Sequence, residues 1–286
     1  MFNLRETVLY ILAATALVTA GCTGPGFSTD LELVRFTSSA GGYVVKSTDV
    51  TLSSQDEVGI FARDPIGAGN VRGVVSGKSI FPDEKLYWIE GQTTATVFSA
   101  YSPYSSRMTG EIFPFSVADD QRQYAGYAAS DLRTSSRTVL PGNVVDFVFE
   151  HRLSKIILGV DPGKRTVSGV SVDDVFRSGI VNMESGEVSG ISGLGSVRAG
   201  LAAASAESRV YVAIFMPQTV KAGVVITADD KEYHFVLETP QEFLPGFAYY
   251  AFLKLDDAAG AGSAVGFSVV VTDWDAGGPL DFSREQ

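Results

Sequence analysis

Cysteine is nearly absent from this 286-residue chain: Cys22 stands alone, so no internal disulfide can form and the fold must be held by its core. Histidine is almost as scarce. Two isolated histidines, His151 and His234, cannot supply a zinc site with three or four ligands at recognisable spacing. Basic side chains are outnumbered, 22 Lys and Arg against 33 Asp and Glu, and they nowhere cluster; the net charge is −11. That balance leaves no electrostatic footprint for nucleic acid or for an anionic membrane surface. No Gly-x-Ser-x-Gly elbow occurs, and nothing places either histidine beside a nucleophile. Heptads and long helical periodicity are missing too, which removes coiled coils and helix bundles.

What is present begins with an export signal. Arg5 forms a short basic region, and residues 8–20 are uncharged and mostly apolar. A run of about 7–15 apolar residues has the length of a signal peptide, whereas a membrane-spanning helix needs about 20. The run ends in Thr19-Ala20-Gly21-Cys22, small residues before a lone cysteine, as lipoprotein processing requires. Residues 1–21 are therefore expected to be a lipoprotein signal peptide, with Cys22 acylated and residues 22–30 a flexible tether. Each buried methylene contributes about 0.8 kcal/mol, so two or three acyl chains anchor stably where one is marginal. Removal of Arg5 and Glu6 with the signal leaves the net charge unchanged.

The mature chain shows short apolar alternations bounded by Gly, Pro, Asn, Asp or Ser, the pattern of strands and turns. Residues 145–153 show it best: Val145, Phe147, Phe149, His151 and Leu153 share one face, while Asp146, Glu150 and Arg152 take the other. Further strands are expected at 58–62, 95–101, 156–160, 209–216, 224–228, 233–237, 248–255 and 267–274. Turns are expected at Asp161-Pro162-Gly163, Pro245-Gly246 and 258–262. Residues 190–208, rich in Gly, Ala and Ser, read as a loop in preference to a short helix around 201–206. The spacing favours an all-β chain of two sandwiches, residues 31–160 and 161–286, divided near Asp161-Pro162-Gly163.

Signals for chemistry are weak. Gly67-Ala-Gly69-Asn-Val-Arg72 lacks the last glycine of a dinucleotide loop, and Gly73-Val-Val-Ser-Gly77-Lys78-Ser79 is one residue short of a P-loop. Both read as glycine turns. The pairs Asp119-Asp120, Asp173-Asp174 and Asp229-Asp230 sit beside turns, where neighbouring side chains diverge. His151, on the apolar parity of its strand, reads as a hydrogen-bonded core residue, and His234 as a surface one. No catalytic residue, cofactor or metal is expected, and the chain is expected not to be an enzyme.

Several segments together resemble the fimbrillin family of type V pilus subunits. They are Val58-Gly-Ile-Phe-Ala62, Leu86-Tyr-Trp88, Val97-Phe-Ser-Ala-Tyr-Ser-Pro-Tyr104, Asp131-Leu132 and Val145-Asp-Phe-Val-Phe-Glu-His-Arg-Leu-Ser-Lys155. Phe215-Met-Pro-Gln218, Leu244-Pro-Gly-Phe-Ala-Tyr249 and Val269-Val-Val-Thr-Asp-Trp274 follow in the second half. The resemblance implies two tandem transthyretin-like β-sandwich domains and an outer-membrane lipoprotein at the cell surface or in the fimbrium. It implies a structural, accessory or tip subunit used in adhesion to a host or bacterial surface ligand. In the family an arginine-specific protease removes an N-terminal strand, and another fimbrillin subunit fills the groove by β-strand complementation. Arg35 is the processing candidate, between a first strand at 31–36 and a next one at 43–46; Arg63 is the other. In the first strand Leu31, Leu33 and Arg35 share a parity. The C-terminal tail carries Leu280 and Phe282 two residues apart, as a donor strand requires, but it is short, so either the donor is short or the subunit accepts a strand without giving one. The alternative is a monomeric surface lipoprotein that binds glycan or a partner protein.

Overall fold

The computed structural model describes residues 31–40, 52, 55–205, 208–255 and 274–284, and the chain is all-β apart from one short helix. In chain order the first strands are β1 (Phe36–Ala40), β2 (Glu57–Ala62), β3 (Ala68–Ser76), β4 (Ser79–Pro82), β5 (Thr96–Ser102) and β6 (Ile112–Ser116). The helix α1 (Tyr124–Ser130) precedes β7 (Arg133–Val139), β8 (Val145–His151), β9 (Ser154–Asp161), β10 (Val167–Asn182), β11 (Val188–Arg198) and β12 (Gly200–Ala204). Then come β13 (Arg209–Phe215), β14 (Gln218–Val220), β15 (Gly223–Ala228), β16 (Lys231–Leu237), β17 (Gln241–Phe243) and β18 (Phe247–Lys254). The last are β19 (Asp275–Pro279) and β20 (Phe282–Arg284).

The N-terminal strands form a closed ring in the order β1-β4-β3-β2-β5-β7-β8. Closure depends on β1, which bonds to both β4 and β8, so neither neighbour is left with an open edge. The inward rows of alternating residues make one core: Val34, Phe36, Val58, Ile60, Val75, Trp88, Phe98, Val145 and Phe147 are all buried.

The second half is a sandwich. A six-stranded sheet runs β11-β10-β15-β16-β20, with β6 also on β10, and a five-stranded sheet runs β12-β13-β9-β18-β19. Val170, Val172, Val224, Ile226 and Phe235 of one sheet share a core with Ile156, Leu158, Ala213, Phe215 and Ala251 of the other. β9, central in its sheet, is buried on both faces from Ser154 to Val160, and α1 packs beside it on β13. The expected dividing point at Asp161-Pro162-Gly163 falls at the end of β9 and the start of the turn to β10. Phe61, Tyr101 and Phe113 from before that turn are built into the second core.

Eight of the expected strands are present within a residue or two, as β2, β5, β8, β9, β13, β15, β16 and β18. The strand expected at 267–274 lies outside the described residues except for Trp274, as do the strand at 43–46 and the turn at 258–262. Residues 190–208 are corrected: most of the described part is strand, in β11 and β12. β11 pairs with β10 from Ser171↔Arg198 to Val181↔Val188, and most of its side chains face solvent. A strand held by ladder hydrogen bonds and exposed at an edge needs no apolar alternation, so its pattern was silent. The two glycine motifs are turns only in part: Gly67 (φ +66) and Gly77 (φ +60) flank β3 at its two ends, while Gly69 and Gly73 lie within that strand. Asp229 and Asp230 both take positive φ (48° and 59°) between β15 and β16, a two-residue hairpin loop that Asp tolerates.

Candidate functional site

The elements that close each core lie at the two ends of the described chain. At the N-terminal end, β1 runs parallel to β8 from Phe36↔Val145 to Ala40↔Phe149 and antiparallel to β4 at Phe36↔Ile80 and Thr37↔Ser79. Upstream, the Val34 N–H donates to the Leu86 carbonyl and the Trp88 N–H to the Glu32 carbonyl, each at 2.9 Å. Phe36 is the anchor: its ring stacks on Phe147 at 6.0 Å and meets the edge of Phe98 at 5.7 Å. Leu31, Leu33 and Arg35 do share a parity, and it is the outward one, while Val34 and Phe36 point into the core. Taking β1 away would strip Phe147 and Phe98 of cover and leave the main-chain groups of β8 unpaired.

Arg35 is exposed and immediately precedes β1, so a cut after it leaves Phe36–Ala40 attached to the rest of the chain. Arg63, after β2, donates to Glu111 at 2.9 Å and to Glu184 at 2.6 Å. A cut there would free both β1 and β2. Cys22 lies outside the described residues, and among the described residues no helix is long and apolar enough to cross a membrane.

At the C-terminal end, β19 pairs in parallel with β18, and β20 pairs antiparallel with β16 in the other sheet. Leu280 and Phe282 are buried in the second core at 1% and 3% exposure, and the Leu280 N–H donates to the Tyr250 carbonyl at 2.8 Å. The tail therefore completes the edges of two sheets of its own chain.

A buried charged cluster sits at the root of this tail. Asp131, at the C-terminal end of α1, accepts from Arg133 Nη2 at 2.5 Å and Nε at 3.1 Å through Oδ2, and lies 2.7 Å from His151 Nδ1 through Oδ1. Burial opposes its ionisation, but the charges and hydrogen bonds of His151 and Arg133 hold its carboxyl below the usual carboxylate range. His151 stacks on Trp274, with ring centroids 4.1 Å apart, and Trp274 immediately precedes β19. Lys155, 2% exposed, has its Nζ 5.8 Å from the Tyr127 ring and 5.6 Å from that of Trp274. Burial and the nearby Asp131 push the Tyr127 hydroxyl upward.

His151 is thus a hydrogen-bonded core residue, and His234 lies at the surface, 3.4 Å from Glu232. Sequence reasoning missed that Arg133 and Lys155 are buried. The one available signal was Lys155 beginning an apolar run in which both strand parities are covered. Among the described residues no group of His, Cys, Asp and Glu could hold a metal ion.

A model of the fimbrillin-like family matches residues 45–274. No curated protein matches in sequence. Among solved structures, a candidate cell adhesion protein from Bacteroides ovatus superposes with a TM-score of 0.66 at 16% identity, over 90% of this chain and 96% of that one. One from Bacteroides uniformis gives 0.63 at 17% identity, over 80% and 95%, and one from Bacteroides fragilis 0.51 at 14%, over 84% and 100%. At these identities the likeness establishes a shared fold.

Proposed function

We propose, from the premise that this chain belongs to the fimbrillin-like family, that it is a structural or accessory subunit of a type V pilus used in adhesion. On this reading it reaches the cell surface as a lipoprotein and assembles with other fimbrillin subunits by strand exchange. The placement of β1 carries the reading. A short strand that alone completes a ring, held by ladder bonds and one buried aromatic, is the kind of element a neighbour's strand can replace. A tip or accessory position fits a chain whose tail is engaged with its own sheets. That same engagement favours the alternative of a monomeric surface lipoprotein, since both ends then complete their own cores.

Trypsin-like proteolysis of the mature protein separates the two. The pilus reading expects ladders or filaments once β1 is released, and it expects Arg63→Ala to block them more than Arg35→Ala, because only the later cut detaches β1. A protein cut at Arg63 that stays monomeric in size-exclusion chromatography counts against strand exchange.

The membrane attachment has its own test. Cys22→Ser should leave the protein unprocessed or soluble in the periplasm, read by fractionation and mass shift. If the variant still partitions with outer-membrane detergent extracts, the anchor lies elsewhere.

A further inference from the structure

The outward face of the six-stranded sheet carries a cavity of about 360 Å³ that neither core uses. Its floor follows from the register. Gly169 of β10 lies opposite Thr227 of β15, which lies opposite Glu232 of β16. One step along the strand, Ser171 lies opposite both Val225 of β15 and Arg198 of β11. These residues share the parity that faces away from the core, since Val170, Val172, Val224 and Ile226 take the inward one. Gly169 has no side chain, so the row dips there; the nearest atom to a Cβ built at that position is Thr227 Oγ1, at 3.8 Å.

Arg122, from the segment before α1, forms one wall with Arg198. Asp120 fastens both: it accepts from Arg122 Nε at 2.9 Å and Nη2 at 2.6 Å, and from Arg198 Nη1 at 3.4 Å. A guanidinium carries five N–H donors, so most donors of the two arginines remain for a ligand. Two guanidiniums against the one Asp120 carboxylate leave that wall with a surplus of one positive charge, facing the Glu232 carboxylate across the cavity. The opposite wall is different in kind. Glu232 offers carboxylate oxygens, Thr227 and Ser171 offer hydroxyls, and Val225 offers a small apolar surface.

We infer that this cavity binds one acidic sugar residue of a glycan, its carboxylate or sulfate on Arg122 and Arg198 and its ring hydroxyls toward Thr227 and Glu232. A planar fork matches either anion bidentately. Carboxylate and hydroxyl acceptors opposite it suit a polyol and disfavour a bare phosphate or sulfate ion. Ligand cavities run from about 300 to 1,000 Å³, so the volume suits one residue, with the remaining glycan running out over the sheet. The inference deepens the adhesive part of the proposed function and rests on that reading only for its use. Binding is measured on the unassembled subunit, so failure here leaves polymerisation untouched.

The purified mature protein is titrated at low salt with a sulfated heparin disaccharide, an unsulfated glucuronate-containing disaccharide and neutral lactose, followed by saturation-transfer NMR and calorimetry. At least one acidic disaccharide should bind and lactose should not; which of the two binds distinguishes sulfate from carboxylate recognition. The double substitution Arg122→Ala, Arg198→Ala should weaken binding by about tenfold or more, and added NaCl should weaken it in the wild type. Gly169→Tyr puts a ring into the cavity without displacing backbone and should abolish binding, which decides the matter if the double variant fails to fold. Equal binding of lactose, no binding of either acidic disaccharide, or full affinity in a folded Gly169→Tyr or double-arginine variant would each overturn the assignment.

Discussion

Asp131→Ala is expected to cost about 3–5 kcal/mol, because it leaves the Arg133 guanidinium buried without its counter-charge. Domains of ordinary stability have about 5–15 kcal/mol in total, so the variant should express poorly or unfold at much lower urea. His151 loses the Asp131 carboxylate in the same step, and its stacking on Trp274 is loosened at the point where β19 begins. Trp274 fluorescence during urea unfolding is the natural readout. His151→Phe should be milder, since it keeps a ring against Trp274 and leaves Asp131 paired with Arg133. His151→Asp should be severe, since it sets a second carboxylate against Asp131 in a buried site. The same cluster makes a pH prediction whose sign follows from the direction of the shift. The folded carboxyl of Asp131 lies below its ordinary value near 3.8, so its stabilisation is present above that value and is lost as pH falls through the folded one. Asp131→Asn should therefore flatten part of the acid limb of the stability curve below about pH 4. An Asp131→Ala protein within about 0.5 kcal/mol of wild type, the range of neutral surface changes, would show that the cluster does not hold the fold.

Much of this arrangement was legible in the residues. Alternation placed β8 and put His151 on its buried row, because a half-buried strand imposes period two on its side chains. The acidic balance was readable as composition alone. What stayed hidden depends on partners distant in sequence. Asp131 and Arg133 are two residues apart, which says nothing of burial; they become an internal pair only because β8 brings His151 alongside and α1 covers them. Ser and Gly in β11 carried no strand signal, since the ladder to β10 makes that strand and solvent takes its side chains. The sugar-sized cavity was equally invisible. Asp120 read as a turn acid, and its neighbours come from β10, β11, β15 and β16, aligned only by register.

Deleting residues 276–286 is the second change with a large expected effect. Leu280 and Phe282 are almost wholly buried, and losing side chains of that size costs about 2–5 kcal/mol each. Two such losses approach the whole stability of an ordinary domain, and the deletion also bares the outer edges of β16 and β18, which keep only β15 and β9 as partners. The truncated subunit should melt far lower and become prone to aggregate. The geometry also bears on whether the tail can be given to a neighbour. Leu280–Gln286 spans about 23 Å at roughly 3.3 Å per residue, and ten donor residues would span about 33 Å. In the folded chain the tail is divided, with β19 on the five-stranded sheet and β20 on the six-stranded one, so giving it as one strand requires both pairings to break first. A synthetic peptide of residues 275–286 added in trans should restore much of the lost melting temperature, because the edges it vacates are strand acceptors. If the truncated subunit still forms fibres with itself, the tail is not the donor. If it only caps fibres made by intact subunits, the donor role stands, and the intact subunit must release β19 and β20 in order to polymerise. A truncated protein that melts like the wild type, with no response to the peptide, would show that the tail closes neither sheet.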